Sequence, residues 1–178
     1  MKVFIDIDTQ IDFVFPAGAL YAPGAERVIP KVAALNRYAA KHGIPVISSV
    51  CAHTEDAGEF KVWPPHCIVD TVGQKKPAAT LLAAGQYIVE KNELDIFSSA
   101  EFVPLLERLD ADECSVYGVL TEYCVKCAIL GLLQTGRKVK LFTDAIHALD
   151  PQAGAAVIAE FVAAGGNLVP LPFDLQEE

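Results

Sequence analysis

Cys124 ends the run Tyr117-Gly-Val-Leu-Thr-Glu-Tyr-Cys124, where an apolar stretch gives way to a turn and a predicted helix start. Backbone N–H groups at a helix start are unpaired and carry a positive field. That field favours thiolate over thiol, and the thiolate is the nucleophile. A working cysteine needs partners, and Asp8 and Lys91 are a carboxylate and a cation that fall at the ends of predicted strands. Each also has an ordinary reading. Cys124 alone would serve as a buried structural thiol, Asp8 as a strand-end cap and Lys91 as a solvated charge. Cys124-Val-Lys-Cys127 is in addition a C-x-x-C pair, the spacing of a thiol redox protein.

These residues need elements to bring them together. Short β-branched runs alternate along the chain with amphipathic helical runs. Strands are predicted at Val3–Asp8, Pro45–Val50, Gln86–Lys91, Glu113–Val119, Lys138–Asp144 and Asn167–Leu171. Helices are predicted over Ala25–His42, which Gly43 ends, over Ala100–Leu109 with Ser99 as its cap, and over Thr121–Thr135. A fourth follows Asp150-Pro151, an N-cap with proline at the first helical position, and runs to Ala164. Strand alternating with helix is the pattern of a parallel sheet covered on both faces. Ligands in such folds bind at the carboxyl ends of the strands. Asp8, Cys51, His53, Lys91, Cys124 and Asp144 all fall there. The stretch from His53 to Pro77 is long for an unpatterned loop, and Trp63-Pro-Pro-His66 inside it argues for a fixed, packed one.

The chain of 178 residues is the size of one domain, 1–178, with a full core and no need of disulfides. A 52% apolar content excludes disorder, and the net charge of −9 argues against nucleic acid or an anionic membrane as partner. No leader and no membrane-spanning run is visible. The odd count of five cysteines reads as reduced thiols in a cytoplasmic protein.

Four segments resemble the isochorismatase-like cysteine hydrolases, nicotinamidases most closely. Asp8-Thr-Gln-Ile-Asp12-Phe13 resembles the opening D-x-Q-x-D-F. Trp63-Pro-Pro-His66-Cys67, with Gly73 beyond it, resembles W-P-x-H-C…G. Lys91 stands at the family's strand-end lysine, and Gly118-Val-Leu-Thr121-Glu-Tyr-Cys124-Val125 resembles G-V-x-T-x-x-C-V. The resemblance implies a three-layer α/β/α fold with a six-stranded parallel sheet ordered 3-2-1-4-5-6. It also implies a Cys124–Asp8–Lys91 triad that hydrolyses a small carboxamide through a thioester, nicotinamide to nicotinate first. Asp8 is then general base and acid, with a pKa raised by desolvation. The N–H groups of Leu120 and Cys124 form the oxyanion hole, with a non-proline cis peptide at Val119–Leu120.

The same resemblance implies that Phe13 and Trp63 line the pocket and that a divalent metal is held by Cys51, His53 and His66. Glu59 stands near an intervening family histidine, and Cys51 stands where the family has aspartate. Thiolate among such ligands favours zinc. A metal-independent amidase acting on another small amide or ureido compound is the alternative, and family members commonly form homo-oligomers.

Overall fold

The structure, a computed structural model, describes residues 1–172 and Leu175. The remaining residues of the expected domain, 173, 174 and 176–178, lie outside the described residues. The predicted strands form where β-branched runs were read: β1 (Lys2–Ile7), β2 (Val46–Cys51), β3 (Gln86–Lys91), β4 (Glu113–Val119), β5 (Lys138–His147) and β6 (Asn167–Val169). They make one parallel sheet in the order β3-β2-β1-β4-β5-β6, the order the resemblance implied. β1 is central, with Ile5 opposite Ile47 of β2 and Val116 of β4.

Side chains along a strand alternate between faces, and β1 shows how that builds three layers. Val3, Ile5 and Ile7 join a cluster with Phe102, Leu106, Ile129, Leu132 and Phe161. Those partners come from α3 (Phe102–Arg108), α4 (Lys126–Gln134) and α5 (Pro151–Ala163). Phe4 faces the other way and packs with Val28, Val32 and Leu35 of α2 (Val28–Lys41). Each such buried side chain contributes roughly 1.5–3 kcal/mol. The layers hold the strand ends at one edge, and the chemistry-bearing residues gather there.

Local chemistry explains where the elements differ from the reading. Ser99 does not cap a helix. It closes a turn of 3-10 helix at Ile96–Ser98, and α3 begins only at Phe102. Asp95, unremarked in the sequence, caps that turn through Phe97 N–H. Asp150 does cap α5, accepting from the N–H groups of Gln152 and Ala153. A short helix α1 (Ile11–Val14) forms within the D-x-Q-x-D-F motif, where no helix was expected. The helix expected from Thr121 opens as a wide turn of π-helix, Thr121–Val125, before α4.

β5 runs three residues past Asp144, so Asp144 does not end the strand. Its carboxylate accepts from Leu171 N–H, away from the site. Pairing between β4 and β5 jumps in register, from Val116 opposite Leu141 to Gly118 opposite Ile146. Gly118 sits at φ 120° with its Cα against the Ile7 carbonyl, so a side chain there would collide with β1.

Candidate active site

The end of β1 turns sharply at Asp8, whose φ of 47° is uncommon for a non-glycine residue. Hydrogen bonds from Asp8 N–H to the Ser49 carbonyl and from Gln10 N–H to the Asp8 carbonyl hold it there. The carboxylate is fully buried. Its Oδ1 accepts from the Ser49 hydroxyl at 2.6 Å, and its Oδ2 pairs with Lys91 Nζ at 2.9 Å. Burial pushes the Asp8 carboxyl up, but the Lys91 charge and hydrogen bonds from Cys124, Ser49 and Lys91 outweigh it and leave the carboxyl below its ordinary value. The expected raised pKa is therefore corrected: the desolvation is real, and the ion pair overrides it. Burial likewise pulls Lys91 down, while Asp8 and the two neighbouring sulphurs hold it well above the ordinary range.

An ammonium has three N–H donors, and Lys91 Nζ has three close acceptors. They are Asp8 Oδ2 at 2.9 Å, the Glu93 carbonyl at 3.0 Å and Cys51 Sγ at 3.2 Å. Cys124 Sγ is fourth, at 3.8 Å. The charge distribution follows. A hydrogen bond from Cys124, against burial, lowers the Cys51 thiol to about 7. That same bond to Cys51, together with burial, holds Cys124 well above an ordinary cysteine. The expectation of a resting thiolate at Cys124 is thus corrected. Cys51, nearer the ammonium, is the more acidic member of the pair, and a second negative sulphur beside the first is opposed by like charge. Cys124 is the member held as a thiol, with the ionised Asp8 carboxylate beside it.

The peptide between Val119 and Leu120 is cis, at the expected position. Among the described residues, Leu120 N–H donates to no backbone carbonyl, while Leu120 C=O accepts from Tyr123 and Val125. Cys124 lies on the wall of a cavity that is partly open to solvent. Phe13 and Trp63 line it, as expected, with Leu20, Tyr21, Leu94, Leu120, Tyr123 and Leu149, which the sequence reading had not placed there apart from Leu120. Trp63 meets Tyr123 edge to face at 5.4 Å, and Phe13 lies 5.3 Å from the His66 ring. Cys127, one helical turn beyond Cys124, is not among the lining residues. Burial raises its pKa, which gives no sign of an activated redox pair with Cys124.

His53, Glu59 and His66 bring three donor atoms within 4.8 Å of one another. Glu59 Oε2 lies 3.5 Å from His53 Nε2 and 3.7 Å from His66 Nε2. Donors on a tetrahedral zinc stand roughly 3.3 Å apart, so the group is close to a ligand geometry. His53 Nδ1 meets Asn92 Oδ1 at 2.9 Å and His66 Nδ1 meets the Pro64 carbonyl at 2.8 Å. Both acceptors place the proton on Nδ1 and turn the Nε2 lone pairs inward, the arrangement that orients histidines around a metal. His53 Nε2 is buried with no hydrogen-bond partner, which suits a metal-ligand atom. The residues present fit a divalent metal. Cys51 stands outside this group, because its sulphur is turned toward Lys91.

Three anchors fix the loop that carries Trp63 and His66, and none was assigned this role from sequence. Gln10 accepts from Cys51 N–H and donates to the carbonyls of Cys51 and Gln74. Asp12 accepts from the N–H groups of Cys67 and Ala19. Lys76, buried, pairs with buried Asp6 at 2.8 Å. The available signal was polar type at strand-interior or motif positions, since a buried Asp or Lys is rare unless paired.

A family model described as Isochorismatase domain matches residues 2–171. The chain is 26% identical over 203 residues to the nicotinamidase of Escherichia coli (strain K12), covering 96% of this chain and 95% of that protein. The crystal structure of the pyrazinamidase of Pyrococcus horikoshii in complex with zinc superposes with a TM-score of 0.90 at 27% identity, covering 96% and 99% of the two chains. The N-carbamoylsarcosine amidase of Thermoplasma acidophilum shares the fold, with a TM-score of 0.83 at 21% identity over 96% of each chain.

Proposed function

The chain belongs to the isochorismatase family, and from that premise we propose that it is a cysteine amidohydrolase whose leading substrate is nicotinamide. The observation that carries the reading is the buried Asp8–Lys91 pair at 2.9 Å beside Cys124 on the cavity wall. Cys124 Sγ attacks the amide carbon as Asp8 takes its proton. The N–H groups of Leu120 and Cys124 receive the developing oxyanion. Asp8 returns the proton to nitrogen, ammonia leaves, and water cleaves the thioester with Asp8 again as base. Lys91 keeps Asp8 ionised before it takes the proton and again after it gives the proton up, which a carboxyl below its ordinary pKa supports.

The cavity supports an uncharged, flat amide. Its lining is mostly apolar and aromatic, Glu59 is acidic, and no lysine or arginine lines it among the described residues. A carboxylate on the substrate would meet no lysine or arginine in that lining. His53, Glu59 and His66 would hold a divalent metal, zinc first, beside this cavity. A bound ion supplies a Lewis-acid anchor for a ring nitrogen or for water. We also place the protein in the cytoplasm. All five cysteines are free, which supports a reducing compartment, and among the described residues no helix is long and apolar enough to cross a membrane.

Ammonia release from nicotinamide by purified protein, with and without zinc and beside Cys124→Ala, tests the reading. Turnover that Cys124→Ala abolishes is expected. No release from folded protein would remove nicotinamide and favour the second reading, a small amide or ureido substrate without metal. The bulk of Leu94, Leu120 and Leu149 around the cavity supports that second reading.

A further inference from the structure

Cys51 is a second thiol in the site that the hydrolytic sequence above does not use. β2 ends on it, and Gln10 fixes its backbone on both sides. Its sulphur contacts the same ammonium as Cys124, at 3.2 Å against 3.8 Å. Both cysteines line the same cavity, so a small reagent that reaches one reaches the other. The remaining cysteines are placed differently. Cys67 and Cys114 are fully buried, and Cys127 lies outside the cavity lining. The two sulphurs share one cavity and one ammonium, and Cys124 lies against the Asp8 carboxylate, which can take its proton as it attacks.

We propose that Cys51 and Cys124 form a peroxide-reactive dithiol, in which Cys124 is oxidised and Cys51 closes a disulfide onto it. In the first step Cys124 sulphur, its proton passed to Asp8, attacks one oxygen of a hydroperoxide. The O–O bond breaks, the leaving oxygen collects that proton as water or alcohol, and Cys124 becomes a sulfenic acid. In the second, Cys51 sulphur attacks Cys124 sulphur and the S–O bond breaks. The departing hydroxide takes the Cys51 proton as water. Two thiols lose two electrons and two protons, and one peroxide is reduced. The disulfide blocks the nucleophile and shields it from irreversible sulfinic acid, and a small thiol reverses it. The pair Cys124–Cys127, although spaced as C-x-x-C, is not the one that closes.

The test is stepwise hydrogen peroxide on the purified full chain, followed by thiol counting after denaturation and by disulfide mapping. Neither readout needs a substrate, so failure here is separate from failure of the amidase reading. Two of the five thiols are expected to disappear together, with a cross-link joining the peptides of Cys51 and Cys124. Dithiothreitol is expected to restore both. Cys127→Ser is expected to form the same cross-link. Cys51→Ser is expected to accumulate sulfinic acid at Cys124 and to lose recovery. A Cys124–Cys127 cross-link, a disulfide between chains, or sulfinic acid at Cys124 with Cys51 free in the native protein would overturn the proposal. So would a Cys51→Ser protein that recovers as the native one does. If Cys51→Ser does not fold, the native map alone decides.

Discussion

Asp8 and Lys91 form a buried pair whose shifts set a pH window for stability, beside the catalytic role proposed for them. Asp8 is held below its ordinary 3.8, so its contribution is present above that value and is lost as pH falls through the lower folded value. Lys91 is held above its ordinary 10.5, so its contribution is present below that value and is lost only in stronger alkali. Lys91→Met leaves Asp8 buried without its partner. Removing one member of a buried pair costs about 3–5 kcal/mol. Burial then raises Asp8, so the loss is expected to be worst near neutrality and to shrink below about pH 4, where an ordinary carboxyl is protonated anyway. Urea midpoints of both proteins across pH check this, and a variant with an unchanged pH profile would contradict it. At the proposed metal site, Glu59 is the anionic donor of the group His53, Glu59 and His66. Glu59→Gln is expected to weaken zinc by more than about 100-fold, beyond the ~10–100-fold typical of partners outside the ligand set. Cys51→Ala is expected to weaken it far less. Equilibrium dialysis of each protein against zinc separates the two.

The elements matter through how they are tied together. The Asp12 carboxylate links α1 to Cys67 N–H and Ala19 N–H. Gly73 lies flat against that carboxylate, and an added Cβ would overlap it. Gly73→Ala therefore pushes Asp12 off its two donors and loosens the loop that carries Trp63 and His66. A loss of about 1–3 kcal/mol is expected, together with a raised KM for the amide. Steady-state kinetics beside a thermal melt would show whether both move. A melt that shifts with KM unchanged would mean that the loop does not shape the cavity.

At the scale of the molecule, the net charge of −9 and an acidic, lysine-free cavity lining favour neutral substrates. An amide carrying a carboxylate is expected to show kcat/KM at least about tenfold below nicotinamide, a gap of about 1.4 kcal/mol. Part of that gap is long-range repulsion, which salt screens over a Debye length of about 10 Å at 0.1 M. It is expected to narrow from low to high ionic strength. The comparison is made in protein stripped of divalent metal, and equal rates there at low salt would contradict this.

Much of this was legible along the chain because it is local. Strand and helix periods, the Asp150-Pro151 cap and the glycine stops depend on neighbours a few residues apart. So do the motifs that mark Asp8, Lys91 and Cys124, and alternation of strand with helix carries the layered parallel sheet. The errors were of another kind. Whether Asp8 is acidic or basic depends on Lys91, 83 positions away in sequence and 2.9 Å away in space. Cys51 follows its strand as a metal ligand would, yet its sulphur belongs to Lys91, while Glu59 completes the histidine pair. The roles of Gln10, Asp12 and Lys76 are likewise contacts across more than forty residues. Electrostatic energies fall with distance and rise with burial, and neither quantity exists until the chain is folded. Residue type and order can name the groups at the site, but their charges and partners are set by which of them share a nitrogen.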